Sequence, residues 1–286
     1  RGAEVVGARW ETPVARRVRL RVAGPAPGVG GGGFALRAGE SVQVRPPGGE
    51  RPAWLSVCST PRQLREDGTL DLLVRRSGHP AVEWLLDAEP GAAGADLRPG
   101  GGLHATDPQA RGPMLLVAGG VGVAPLYSIA RDSAEGWLER LGRKPLGATP
   151  LEATASGKGE APASALPRAV LPPGAGFRAI VLYSAEEPRE HALLGGLREL
   201  EVATGGRVGV RRHVTGATWE GREAEWGGEW GFVGKAHLER ALGELQSTGE
   251  PTTAFVCGPP AMADSIAEKL ESLSLPPEAI RLERWW

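Results

Sequence analysis

Apolar positions along this chain follow two different rhythms. Up to about residue 105 they come in short runs, alternating or β-branched, closed off by glycine and proline. Such runs predict strands at Glu4–Trp10, Ala15–Val22, Ser41–Arg45, Leu55–Ser59 and Leu70–Arg75, with a glycine-rich loop at Gly24–Gly33 and a short helix at Pro80–Leu86. Several short strands at this spacing predict a small antiparallel barrel. From residue 112 the rhythm changes to short apolar runs separated by helical stretches. Strands are predicted at Met114–Ala118, Arg178–Ser184, Val208–Val214, Thr253–Cys257 and Ile280–Glu283, and helices at Leu126–Leu141, Glu190–Ala203, Lys235–Leu245 and Pro260–Leu273. This alternation predicts right-handed crossovers and a five-stranded parallel sheet, order 3-2-1-4-5, flanked by helices. The expected organisation is a two-domain β + α/β protein: an antiparallel barrel over 1–106 and an α/β domain over 107–286. The segment 143–176 is rich in Ala, Pro, Gly and Ser with almost no large apolar residue, and reads as a disordered, low-complexity insertion.

Composition narrows the function classes. The 286 residues suffice for two cores, and a net charge of −1 gives no reason to expect nucleic acid or an anionic membrane as partner. No apolar run approaches the roughly 20 residues of a membrane span. The two cysteines, Cys58 and Cys257, are too few for an iron–sulfur cluster of four thiolates and form no disulfide framework, which fits a reducing compartment. The five histidines, at 79, 104, 191, 213 and 237, show no metal-ligand spacing, so no metal site is expected and these read as surface or packing residues. The chain starts at Arg1, which suggests a processed protein or part of a longer one.

Candidate chemistry centres on Met114–Arg131. A buried-type strand ends in Gly119-Gly120-Val121-Gly122-Val123-Ala124-Pro125, and a helix follows at once. The glycines permit a tight turn with a ligand against the backbone, and Pro125 suits a first helical turn. Free N–H groups and the helix dipole there would seat an anion such as a pyrophosphate. In a 3-2-1-4-5 sheet the strand ends carrying Gly119 and Cys257 lie side by side at the topological switch point.

Three segments, LSVCSTP (55–61), AGGVGVAPLYSIAR (118–131) and VCGPPAM (256–262), resemble the ferredoxin–NADP reductase superfamily. The resemblance implies a flavin-binding barrel followed by a nucleotide-binding domain. It places the dinucleotide pyrophosphate at Gly119, Gly120, Gly122, Val123 and Pro125. It also sets Cys257 beside the nicotinamide, with Gly258 and Pro259 shaping the approach and Met262 packing beneath. The family pattern Arg-x-Tyr-Ser aligns on Ser56, which would bond the flavin N5 edge. Leu55 then takes the tyrosine position and Ala53 the arginine position, so that Leu55 and Val57 would line the flavin and Arg51, Arg75 or Arg76 would supply the missing charge. A second flavin element appears as Gly78-His79-Pro80-Ala81, with alanine where the family has serine. Trp286 either covers the flavin or packs the last strand against the barrel.

Glu186 or Glu187, after the second strand of the sheet, would contact the adenosine ribose and favour NAD(H) over NADP(H), whereas Arg211 and Arg212 are alternative phosphate ligands. SVCSTPRQL, AGGVGVAPL and the ending Glu283-Arg284-Trp285-Trp286 are similar to a mitochondrial branch of the family, which implies a mitochondrion, with a plastid as the alternative. The function implied is a flavin-dependent NAD(P)H oxidoreductase, using FAD and Ser56 and Cys257 as catalytic residues. It would pass electrons to a separate acceptor, a small molecule, a protein or a larger complex. The alternatives are a reductase fold kept as a structural or assembly subunit, or an NAD(H) sensor.

Overall fold

The computed structural model describes residues 1–24, 34–49, 51–106, 109, 111–147, 151, 176–247 and 249–284. Most of the Gly24–Gly33 loop, most of the 143–176 segment and both terminal tryptophans, Trp285 and Trp286, lie outside these residues.

The first half is an antiparallel six-stranded sheet in the order β4-β3-β6-β1-β2-β5. Its strands are β1 (Gly2–Trp10), β2 (Ala15–Val22), β3 (Glu40–Arg45), β4 (Ala53–Ser56), β5 (Thr69–Arg75) and β6 (Ala93–Gly102). A bridge between Val57 and Leu72 joins the end of β4 to β5 and closes the sheet into a barrel. Inside lie Val5, Val18, Leu20, Val42, Val44, Leu70 and Leu72, each fully buried. Helix α1 (Pro61–Asp67) follows β4 directly. It starts because Thr60 caps it through Gln63 N–H and Pro61 occupies the first turn, and it stops at Gly68 in the left-handed region at φ 67°. This early start ends the strand at Ser56, short of the expected Ser59. Helix α2 (Pro80–Asp87) closes one end of the barrel with Val82, Leu85 and Leu86.

One carboxylate, Asp71 on β5, organises the barrel's polar interior. It is fully buried and accepts from Arg17 Nε (3.0 Å), Arg19 Nε (2.6 Å) and Gln63 Nε2 (3.0 Å). Burial alone would raise its pKa, but the Arg19 hydrogen bonds and the Arg17 charge hold it below the usual carboxylate range.

The second half is a parallel six-stranded sheet in the order β10-β9-β8-β7-β11-β12. These strands are β7 (Pro113–Gly119), β8 (Arg178–Ala185), β9 (Val208–Val214), β10 (Glu229–Trp230), β11 (Thr253–Gly258) and β12 (Ile280–Arg284). The expected 3-2-1-4-5 order is present as β9-β8-β7-β11-β12, and the short β10 adds an edge that the sequence does not announce. Helices α3 (Val123–Arg140), α4 (Leu194–Ala203), α5 (Glu223–Trp226), α6 (Lys235–Gln246) and α7 (Pro260–Ser272) complete the domain. Core residues of both sheet faces are apolar throughout β7 and β11, as expected for parallel strands covered on both sides. No helix among the described residues is long and apolar enough to cross a membrane.

The two halves meet through α3. Ser128, fully buried on that helix, accepts from Gly39 N–H (3.2 Å) and donates to the Ser59 carbonyl (2.7 Å), so one hydroxyl ties two barrel loops to the parallel sheet's first helix.

Candidate nucleotide and redox site

The turn after β7 interlocks with the turn after β11. A Cβ on Gly122 would lie 2.2 Å from the Cys257 carbonyl oxygen, and one on Gly119 would lie 2.6 Å from Met262 Sδ and 3.0 Å from Pro259 Cδ. Gly120 adopts φ +54°, where a side chain would be strained. Each glycine is therefore required by a close backbone approach or by conformation. Gly119, Gly120 and Val121 line a cleft of about 710 Å³ at the strands' carboxyl ends. That volume lies within the range of about 300–1,000 Å³ usual for small-molecule sites.

Charges of both signs line the cleft. Arg75, from the end of β5 in the barrel, and Lys269 on α7 bring positive charge to its walls. Glu186 and Glu190, beyond β8, line it too, and the Arg75 charge acts on Glu190. Burial raises the Glu190 carboxyl, and the neighbouring Glu186 and Glu187 add to the effect. Phe232, 76% exposed, and Thr215 also line the cleft. Arg211 and Arg212 are engaged elsewhere: Arg211 pairs with Glu244 (2.5 Å), and Arg212 donates to the Trp226 carbonyl (2.7 Å) with its guanidinium over the Trp226 ring.

Below the cleft, Cys257 is buried and its thiol points to Glu283 Oε2 at 3.9 Å. The other Glu283 oxygen accepts from Ser41 Oγ (3.3 Å), and Leu103 N–H reaches Oε2 (3.4 Å). Ser41 Oγ is 3.1 Å from Ser56 Oγ. Because the Ser41 hydrogen goes to Glu283, Ser56 is the donor in that contact. One carboxylate on the last strand thus joins Ser56 of the barrel to Cys257 of the parallel sheet. Burial lifts the Glu283 carboxyl above its usual range, against the opposing bonds from Leu103, Ser41, Ser56 and Cys257. Sequence reasoning missed Glu283 and Ser41. Neither belongs to a local motif, and only the docking of barrel on sheet brings them together.

Of the residues expected from the sequence, Gly119, Gly120, Glu186, Pro259 and Met262 line the cleft. Gly122, Val123 and Pro125 are buried beneath it at the start of α3, and Gly258 is buried under Met262. On the flavin side the placements diverge. Leu55, expected to cover a flavin face, is buried in the barrel core, as is Val57. The alternate face of β4 carries Trp54, 47% exposed and packed against Gly100. Arg51 is exposed. At α2, the Gly78 N–H is taken by Glu83 Oε1 (3.1 Å) and the Ala81 N–H by His79 Nδ1 (3.2 Å). Glu83 also pairs with Arg76. Ser56, expected at the flavin's reacting edge, is buried with its hydroxyl on Ser41, and the helix end expected to hold the diphosphate is capped from within by a carboxylate and an imidazole.

The fold, an antiparallel barrel followed by a helix-flanked parallel sheet, is that of ferredoxin–NADP reductase-like proteins. The family model for the Oxidoreductase NAD-binding domain matches residues 154–268. The chain is 28% identical to Oxidoreductase NAD-binding domain-containing protein 1 of Xenopus laevis, over 99% of its own length and 79% of that protein. It is 29% identical to Ferredoxin–NADP reductase B of Sorangium cellulosum, over 89% of this chain and 87% of that one. Among solved structures, a cytochrome P450 reductase of Amycolatopsis superposes with a TM-score of 0.66 at 22% identity, covering 99% of this chain and 69% of that chain.

The raised Glu283 carboxyl makes a pH prediction. A folded-state value above the unfolded one gives a contribution that is full below the ordinary value of 4.5 and is lost as pH rises through the folded value. Wild-type protein should therefore lose part of its stability as pH rises above that point, and Glu283→Gln, which cannot ionise, should lack this component. Urea unfolding of both proteins across this range checks it, and parallel profiles would rule it out.

Proposed function

We propose that this protein is an NADH-dependent oxidoreductase in which nicotinamide docks above Cys257 and electrons pass through FAD to a separate acceptor. The observation that carries this reading is that the glycine turn lining the cleft packs on the Cys257 backbone, and Cys257 is linked through Glu283 and Ser41 to Ser56. In this reading residues 107–286 supply the nucleotide side and residues 1–106 the flavin side.

Backbone N–H groups at Gly120 and Val121 seat the pyrophosphate, and Arg75 and Lys269 offset its charge. Glu186 accepts from the ribose hydroxyls and repels a 2′-phosphate. With Arg211 and Arg212 committed to Glu244 and Trp226, their engagement favours NADH over NADPH. Phe232 provides a stacking face for the adenine. Gly258 and Gly122 let the backbone come close enough for the nicotinamide to reach Cys257.

FAD, when bound, supplies two-electron acceptance from nicotinamide and stepwise release to an acceptor. The chain's own part is positioning and proton handling. Ser56 is held by Ser41, and Ser41 by Glu283, whose burial raises its carboxyl above the usual range. The residues at the other end of the flavin fit less well. Glu83 occupies the Gly78 donor and adds negative charge where a diphosphate would lie. FAD is therefore held chiefly at its reacting end, and weakly. The same capped helix favours a second reading: a nucleotide-binding subunit that serves assembly without turnover. The mitochondrial or plastid compartment rests on the resemblance to relatives alone.

Anaerobic addition of NADH to protein supplemented with FAD separates the two. Bleaching of the flavin absorbance at a rate set by protein concentration supports the reductase. Nucleotide binding with FAD left oxidised supports the assembly subunit. In addition, Glu83→Gln removes the charge that opposes the diphosphate and should tighten FAD by about tenfold, close to 1.4 kcal/mol. An unchanged FAD dissociation constant would mean that the flavin diphosphate does not lie at α2.

A further inference from the structure

We propose that His213, Glu229 and His237 form a binding site for a zinc-type divalent cation. The three come from separate elements. His213 lies near the end of β9, Glu229 opens β10, and the parallel register pairs them directly. His237 sits in the first turn of α6. One donor atom from each residue can be chosen so that all lie within 4.8 Å of one another. Glu229 Oε2 is 3.1 Å from His237 Nε2, and the two imidazoles meet edge to face at 4.7 Å.

His213 is the observation that points to a ligand. It is fully buried, and both of its ring nitrogens lack a hydrogen-bond partner. A buried polar group left unsatisfied costs about 1–3 kcal/mol, and native structures rarely leave one without a reason. A cation held by the neighbouring imidazole and carboxylate would satisfy one of those nitrogens.

Two imidazoles and one carboxylate form a nitrogen- and oxygen-donor set suited to zinc, with a fourth position left for water. Zinc–nitrogen bonds of about 2.0–2.1 Å in a tetrahedron place ligand atoms about 3.3 Å apart. The His237–Glu229 pair is already at that separation, and His213 needs to close in by no more than about 1.5 Å from the 4.8 Å limit. Glu229 is oriented from behind by Arg240, whose Nη2 donates to Oε1 at 2.7 Å, leaving Oε2 for the cation.

Loading carries a consequence for the nucleotide cleft. Without a cation, His237 Nδ1 accepts the Gly234 N–H (2.9 Å), so Nε2 carries the ring hydrogen and donates it to Glu229. A neutral imidazole bound through Nε2 carries its hydrogen on Nδ1 instead, where the Gly234 N–H now points. Cation binding therefore opens the α6 cap and shifts the turn that presents Phe232 and Val233 to the cleft.

The test uses the full chain, freed of metal by a chelator and titrated calorimetrically with zinc, with cobalt as a spectroscopic probe. One equivalent should bind, with cobalt giving the intense visible bands of a four-coordinate site. Glu229→Gln and His237→Gln, both at partly exposed positions, should each weaken binding by at least tenfold. Circular dichroism identifies a variant that has failed to fold, and the other variant then decides. Absence of stoichiometric binding would overturn the proposal. So would equal zinc affinity in wild type and a folded variant, or cobalt bands of six-coordinate intensity only.

Discussion

Everything at the strands' carboxyl ends depends on how closely two backbone turns approach. The turn after β7 and the turn after β11 touch at Gly122 and Cys257, where even one methyl group would fall 2.2 Å from a carbonyl oxygen. Because the contact is backbone to backbone, it fixes the floor of the cleft without side-chain adjustment. It also sets Cys257 directly below the segment Pro259–Met262, whose atoms close over Gly119. Widening this contact would move the nucleotide seat, the buried thiol and the start of α3 together.

The proposed redox site is assembled across the two halves of the chain rather than within either. Glu283 stands on the last strand, Ser41 and Ser56 on barrel strands and Cys257 on the sheet, and Ser128 fixes the docking of barrel on α3. Burial of Glu283 against three polar groups and a thiol yields a carboxyl that keeps its proton to higher pH than a solvated one. The flavin side is uneven. In the proposed reading its reacting edge lies by the Ser41–Ser56 hydroxyl pair, while its diphosphate end falls at a helix whose donors already serve Glu83 and His79. That imbalance explains why the fold of a reductase does not by itself guarantee a firmly held flavin.

Much of this was legible in the sequence because the decisive signals are local. Met114–Ala118 and Thr253–Cys257 are continuous apolar runs ending in glycine, and their pairing at the centre of the sheet follows from topology. Strand β6 was missed because only Ala95 and Leu97 of its ten residues are buried, so no alternation shows. Its neighbours β1 and β3 make it a strand. Helix α1 was missed although Thr60-Pro61 is a readable start signal. Leu55 was placed on the flavin by alignment, but strand periodicity sends it into the core and Trp54 outward. Glu283, and the meeting of His213 with His237 and Glu229, depend on contacts between distant elements, which spacing along the chain does not encode.

The central claim is that a nicotinamide dinucleotide lies across the two interlocked turns. Backbone amide chemical shifts during titration with NAD+ address it directly. The account predicts the largest changes at Gly119–Val121, at Phe232 and at Cys257–Met262, with α2 undisturbed. Saturable binding that leaves those amides unmoved, or that shifts α2 instead, would contradict it.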